Sequence, residues 1–400
     1  MDFMVKLGLS IPHRPLLVHA TYLRVRYAST KSCDPLRILF CGSDSFSIAS
    51  LTALCKERAN NPETIASIDV VCRPGKRVGR GLKTIREVPI KAAATQLALP
   101  IHEIDTFTGW NPPQPRGQPI NLIVAVSFGL FVPPRILSSA KYGGLNVHPS
   151  LLPDFRGPAP LHHTLLAGET RTGVTLQTLD TKEFDHGVIL DQTPPPGISI
   201  PDPDTCDVPR LLDLVSDKSA QMLVEGIRNR VFIPPLRSLG WRKPNNETAL
   251  RHAGKIKPED RHINWSSWTA QEISRRQRIL GPLWNNALIG SGSPVSGNSE
   301  GKKRVIFTKM ALDEFTPGGR DSIKLGPGVV FALPGAHTTA GELDMPLYVT
   351  TCDRKIFRID EIKVQGQQSA PAYRAAKKAN LVDIPPMHST LLPKFFAVLE

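Results

Sequence analysis

No uninterrupted apolar stretch in this 400-residue chain approaches the roughly 20 residues that a membrane-spanning helix requires, so no membrane partner is expected. Metal-binding patterns are missing as well. The six cysteines, Cys33, Cys41, Cys55, Cys72, Cys206 and Cys352, form no C-x-x-C pair and fall at no metal-ligand spacing. They read as reduced structural thiols in a non-oxidising compartment, and no metal is expected. The first apolar run, Leu36–Gly42, is not followed by G-x-G-x-x-G, which argues against a nucleotide-linked dehydrogenase. No internal repeat is found.

Acidic residues are in short supply. The chain has 49 Lys and Arg against 36 Asp and Glu, a formal net charge of +13, which favours a polyanionic partner such as nucleic acid, although a solvated basic surface gives the same balance. Residues 1–33 hold Lys6, Arg14, Arg24, Arg26 and Lys31 against the single acid Asp2. Such an acid-poor, arginine-containing segment reads as a mitochondrial targeting leader, with a processing region around Arg24–Thr30, and implies a matrix protein. The leader contributes +4, which leaves +9 on residues 34–400.

The length suggests two domains. Leu36–Gly42, Ile65–Cys72 and Asn121–Ser127 are short apolar runs with the character of buried strands, separated by helical patterns such as Ile85–Leu97. Strands alternating with helices predict an open, mostly parallel α/β sheet of Rossmann-like type over residues 34–233. Prolines and asparagines punctuate 234–249, the expected linker. Residues 250–400 offer an amphipathic helix, Ala270–Leu280, and then the short runs Arg304–Thr308, Gly328–Phe331, Leu347–Thr351 and Lys355–Ile359. These predict a small β-barrel. Ser291–Gly301 is a Ser/Gly-rich insertion.

The densest cluster of chemically capable residues is Gly144-Leu-Asn-Val-His-Pro-Ser-Leu-Leu-Pro-Asp-Phe-Arg-Gly157. Asn146 and His148 stand two apart, so on an extended segment both face one side, and Pro149 favours that extension at His148. An amide and an imidazole at one strand end can hold a carbonyl oxygen and accept a proton from an attacking amine. An isolated Asn-x-His is more often structural. Asp185, in Phe184-Asp-His-Gly187, follows His148 by 37 residues. An acid there can fix the histidine tautomer or orient a water, while plain turn chemistry also accounts for Asp-x-Gly.

Together, Asn146–Pro153, Arg156-Gly157, Thr172-Gly-Val-Thr175 and Asp185-x-Gly187 resemble the catalytic half of the folate-dependent formyltransferases. The resemblance implies that Asn146, His148 and Asp185 are the catalytic trio, with 10-formyltetrahydrofolate as the formyl donor and no metal. Ser127-Phe-Gly-Leu-Phe-Val-Pro133 resembles the segment that flanks the pterin. It implies folate contacts at Phe128, Gly129, Leu130 and Val132, and at Ser150, Leu151, Leu152 and Pro153. Arg73–Lys83, with five basic residues in eleven and spaced by glycines, resembles the basic inserted loop of the methionyl-tRNA branch of the family. That implies initiator methionyl-tRNA as the second substrate, contacted through Lys76, Arg77, Arg80 and Lys83. Such a loop suits phosphate.

Lys257-x-x-Asp-x-x-Ile263-Asn-Trp265, Pro327–Val330 and Leu347–Ala370 resemble that branch's C-terminal OB-like domain, and residues 251–400 carry 21 Lys and Arg against 14 Asp and Glu. The resemblance spans nearly everything from Leu36 onward, and a monomer is expected. Two departures stand out. The first turn is Gly42-Ser-Asp-Ser-Phe46, and His162-His163 occupy positions where the family often has Gln-Trp. Glycinamide-ribonucleotide and sugar-nucleotide formyltransferases and formyltetrahydrofolate hydrolases use the same trio; the basic loop and basic C-terminal half argue against them. An intact trio argues against a non-catalytic RNA-binding protein.

Overall fold

The computed structural model describes residues 31–242, 250–288, 301–313, 326–332, 345–381 and 394–399. The expected leader up to residue 30, residues 243–249 of the expected linker and nearly all of the Ser/Gly insertion lie outside the described residues.

The first apolar run is strand β1 (Leu36–Gly42), followed by helix α1 (Ser45–Asn60). The Asp44 carboxylate caps that helix by accepting the Ser47 N–H at 3.1 Å. After β2 (Ile65–Cys72), the basic stretch folds back as an antiparallel hairpin of β3 (Lys76–Val78) and β4 (Thr84–Arg86). The helix expected from Ile85 therefore begins only at Pro89, as α2 (Pro89–Gln96). Ile85 pairs with Arg77 in the hairpin, and Pro89, with its fixed φ and no N–H, sits well in a helical first turn.

Next come β5 (Ile101–Glu103), β6 (Leu122–Val126), α3 (Pro134–Leu137), β7 (Gly144–His148) and α4 (Pro160–Leu166). They are followed by β8 (Arg171–Thr172), β9 (Thr175–Thr178), β10 (Ile189–Gln192), β11 (Ile198–Ser199) and α5 (Val208–Arg228).

Seven strands form one sheet in the order β10-β9-β7-β6-β1-β2-β5. From β5 to β7 the neighbours are parallel, and β9 and β10 add an antiparallel edge. This is a Rossmann-like sheet with its topological switch beside β1, where β2 and β6 diverge to either side. Open α/β sheets bind ligands at the carboxyl ends of the strands near such a point. Alternate side chains divide between two cores. Ile38, Phe40, Val124, Leu145 and Val147 join the core built with α1 and α5, whereas Leu39, Cys41, Ile123 and Ala125 pack with Phe107, Phe128 and Ile136 on the other face.

The C-terminal part begins with α6 (Ala270–Leu280), at the length expected for it. Around it lie β12 (Leu283–Leu288), β13 (Lys302–Leu312), β14 (Val329–Phe331), β15 (Leu347–Thr350), β16 (Ile356–Val364), β17 (Ala370–Pro371), α7 (Ala372–Lys378) and β18 (Lys394–Leu399). Pairing is antiparallel throughout. The series β13-β12-β18-β14-β15-β16 returns to β13 and closes an OB-like barrel. Val305, Phe307, Val330, Leu347, Val349 and Phe357 fill it, together with Ile263 and Trp265 from the segment ahead of α6. Ile279 and Leu280, the last residues of α6, pack instead into the N-terminal core, which joins the two parts through apolar contact.

Helices α1 and α5 are tied by one ion pair. The buried Glu57 carboxylate accepts Arg228 Nε at 2.9 Å, a second bond from Arg228 Nη2, and the Asn61 amide at 2.8 Å. The bond to Arg228 holds the Glu57 carboxyl below its ordinary value. Arg228→Ala leaves that carboxylate buried without its cation. The half-exposed arginine tempers the loss to on the order of 2 kcal/mol. A depressed carboxyl contributes stability above its unfolded pKa and loses it as pH falls through the folded value. Urea melts of wild type and variant should therefore differ most near neutrality and converge below the ordinary glutamate range.

Candidate active site

Leu145 and Val147 commit one face of β7 to the α1/α5 core, so Asn146 and His148 emerge together on the other, at the strand's carboxyl end. Asp185 reaches them from the turn between β9 and β10. Its φ of +59° is left-handed, a region costly for most side chains but tolerated by aspartate. Two residues on, a Cβ at Gly187 would lie 1.8 Å from the Thr178 carbonyl oxygen, so only glycine lets the turn close on the end of β9.

The Asp185 side chain is 8% exposed and is surrounded by donors. Oδ1 accepts Asn146 Nδ2 at 2.9 Å and Gln177 Nε2 at 3.1 Å, and it faces His148 Nδ1 at 3.5 Å. Oδ2 accepts the Gly157 N–H at 3.0 Å, and Arg156 Nε donates to the Asp185 main-chain carbonyl at 2.8 Å. On its far side, His148 Nε2 lies 2.9 Å from the Phe155 carbonyl oxygen. A carbonyl can only accept, so Nε2 carries the hydrogen and Nδ1 is the nitrogen turned towards Asp185. The three residues singled out in the sequence are thus brought together. Gln177, the Phe155 carbonyl and the Gly157 N–H belong to the same constellation and were not foreseen. Gln177 is the register partner of Asn146 across β7 and β9, a pairing no local motif announces.

The loop after His148 is held from within. Thr175 Oγ1 donates to the Ser150 carbonyl at 2.7 Å and accepts the Leu152 N–H at 3.1 Å, Gln192 Nε2 donates to the Leu152 carbonyl at 2.8 Å, and Ser150 Oγ donates to the Asp154 carbonyl at 2.8 Å. Ser150, Leu151 and Leu152 are buried and Pro153 half-buried. Of the other segment expected at the folate, Phe128 and Val132 are buried in the second core, while Gly129, at φ +77°, and Leu130 reach the surface. The Phe128 carbonyl accepts Ser43 Oγ at 3.2 Å, which ties this loop to the turn after β1. Leu130 lines a cleft of about 260 Å³ with Asp105, Phe107, Phe131, Pro133 and Arg135. The Phe131 and Phe184 rings meet edge to face at 5.2 Å, joining the loop after β6 to the Asp185 turn.

Lys76 and Arg77 lie on β3, and Arg80 opens the single helical turn at the hairpin tip. Lys76, Arg77 and Lys83 are exposed, as are the apolar Leu82 and Ile85. The hairpin leaves the carboxyl end of β2, the same end of the parallel sheet that carries Asn146 and His148. Of the two unusual histidines on α4, His163 Nε2 bonds the Gly254 carbonyl at 2.9 Å. Burial, with help from His163 and Arg261, lowers the pKa of His162. Among the described residues no cluster of three metal-ligating side chains occurs, and no helix is long and apolar enough to cross a membrane.

The chain was compared with known proteins. The formyl transferase family model matches residues 36–224. The mitochondrial methionyl-tRNA formyltransferase of Saccharomyces cerevisiae is 34% identical over 316 residues, which cover 70% of this chain and 76% of that protein. The human mitochondrial enzyme of the same name is 34% identical over 259 residues, covering 64% of this chain and 60% of that protein. The methionyl-tRNA formyltransferase of Ehrlichia ruminantium (strain Gardel) is 34% identical over 256 residues, covering 62% and 75%.

The turn that delivers Asp185 offers a direct check on this geometry. Gly187→Ala forces a Cβ into the Thr178 carbonyl and should destabilise the fold by on the order of 2 kcal/mol. The change should appear as a lower urea midpoint with an unchanged slope. An unaltered midpoint would show that the turn is looser than its contacts indicate.

Proposed function

This chain belongs to the formyl transferase family, on its methionyl-tRNA branch, and from that premise we propose that it moves the formyl group of 10-formyltetrahydrofolate onto the amino group of methionyl initiator tRNA. The setting is the mitochondrial matrix, where the product starts translation. One observation carries the chemistry: a buried carboxylate, Asp185, gathers Asn146 and His148 into one cluster at the carboxyl end of the sheet.

In the proposed reaction the methionyl amine attacks the formyl carbon, a C–N bond forms, and the carbonyl oxygen becomes an oxyanion. Asn146 uses one amide hydrogen on Asp185 and has a second for that oxyanion. His148 Nδ1, free of hydrogen while Nε2 is held by Phe155, takes the proton of the attacking amine. The imidazolium so formed faces Asp185 at 3.5 Å. It returns the proton to the departing folate nitrogen as the carbon–nitrogen bond to the carrier breaks. No metal takes part. The exposed backbone at Gly129 and the cleft beside Leu130 and Phe131, lined by apolar and polar side chains alike, are where this reading seats the pterin with its aromatic tail. Phe128, Val132 and Ser150–Pro153 are the further folate contacts that the family resemblance implies. Lys76, Arg77, Arg80 and Lys83 meet the phosphates at the acceptor end of the tRNA.

The assay is direct: incubate the purified chain with 10-formyltetrahydrofolate and charged initiator tRNA, and score formyl-methionine. Formylation of glycinamide ribonucleotide or a sugar nucleotide in its place, or simple hydrolysis of the donor, would overturn the tRNA assignment. Asn146→Ala, His148→Ala and Asp185→Asn should each lower kcat by about 100-fold or more in a folded protein, since each acts on the transition state. Near-wild-type turnover in any one removes that residue from the mechanism. Arg80→Ala should raise the KM for charged tRNA and spare the folate KM. The reverse pattern would place the hairpin at the donor site.

A further inference from the structure

His148 is held by a carbonyl whose own position depends on a segment from the other end of the linker. Phe155, which supplies that carbonyl, sits at φ +58°, a conformation unfavourable for a bulky residue and kept only when its surroundings enforce it. The enforcement comes from Arg251. The Phe155 N–H donates to the Arg251 carbonyl at 2.7 Å, and the Arg251 guanidinium stacks on the Phe155 ring at 4.2 Å.

The residue before it, Asp154, is gripped as well. Its side chain is 10% exposed. Oδ1 accepts the Arg251 N–H at 3.2 Å and Nε at 3.3 Å, and Oδ2 accepts Arg251 Nη2 at 2.5 Å and Arg242 Nη2 at 3.0 Å. Burial pushes the Asp154 carboxyl up, but these bonds outweigh it and hold it below its ordinary value. Arg251 also pairs with Glu169 through Nη1. Beyond it, the Ala253 N–H donates to the Arg156 carbonyl at 2.7 Å and the Ala253 carbonyl accepts the Ala159 N–H at 3.2 Å. At Gly157 a Cβ would lie 2.4 Å from the Ala253 oxygen. Residues 251–253 therefore splint the loop that carries the His148 acceptor and the Gly157 N–H.

We propose that Arg251 is a positioning residue for the transfer reaction: by clamping Asp154 and Phe155 it fixes the carbonyl that keeps hydrogen on His148 Nε2, and so presents bare Nδ1 to the reacting centre. The proposal rests on the proton-carrying role given to His148 above. Nothing in the motif carries this role, because Arg251 lies 97 residues beyond Asp154. The side chain touches no reacting atom, so its effect belongs in kcat rather than in either KM.

The test uses the full chain with histidine labelled in ¹⁵N, the His148 signals being assigned by their loss in His148→Ala. Wild type should show the Nε2–H tautomer. Arg251→Ala should show mixed tautomers, with kcat down about tenfold and both KM values within about twofold. Arg251→Lys keeps the charge but cannot fork over both carboxylate oxygens or stack as well, so it should recover part of kcat and serves if the alanine variant folds poorly. Arg228→Ala breaks a distant ion pair and should lower stability with kcat unchanged.

An unchanged tautomer in Arg251→Ala overturns the proposal whatever happens to kcat. A mixed tautomer with wild-type kcat supports the splint and refutes instead the role given to His148.

Discussion

A buried carboxylate has to be surrounded by hydrogen-bond donors or it will not stay buried, and at Asp185 that requirement organises much of the N-terminal domain. The donors arrive from separate pieces of chain: Asn146 from β7, Gln177 from β9, and the Gly157 main chain from the loop between. Asn146 and Gln177 can share one oxygen because they stand opposite each other in the antiparallel β7–β9 pair. A register slip of one residue would turn Gln177 to the other face of the sheet. The glycine two residues after Asp185 and the left-handed turn at the aspartate itself follow from the same need, since they let the acid come in over the end of β9.

The two halves of the chain carry different physical duties. The parallel sheet supplies a rigid rim on which short side chains meet at fixed distances, while the basic hairpin rises from the same rim. The barrel half carries much of the surplus positive charge of the chain, a distribution suited to a long polyanion reaching from one half to the other. They are not joined by a tether alone. The end of α6 packs into the first core, and the residues after the linker lie along the loop that follows β7.

Much of this was legible in the sequence because the signals were local. β1 and β2 occupy the apolar runs that announced them and α6 spans its amphipathic stretch; alternating elements announced the parallel sheet and short strand runs a small barrel, whose OB-like character came from the family resemblance. The shared face of Asn146 and His148 is a matter of period two along a strand. What escaped was set by contacts far apart in the chain. The start of α2 moved because Ile85 found a hairpin partner in Arg77, and a helical pattern cannot reveal a competing strand. Gln177 has no sequence signature as a partner of Asp185, and Arg251 reads as one basic residue among many until the loop beneath it is seen. The hairpin residues were recognisable as a basic arm; that they would form paired strands was not, since their glycines suggested a loop.

The closure of the barrel has a consequence for how the molecule comes into being. Its ring is completed by β18, which pairs Asn286 with Leu399 on one side and Val330 with Phe396 on the other. That strand is drawn from far along the chain, whereas β1, α1 and β2 assemble from neighbours. Contacts of such long sequence separation form slowly, because the loop must close before pairing rewards it. Until β18 arrives the ring stands open, with unpaired edges at β12 and β14. During that interval those two edges are open to pairing with a strand from another molecule.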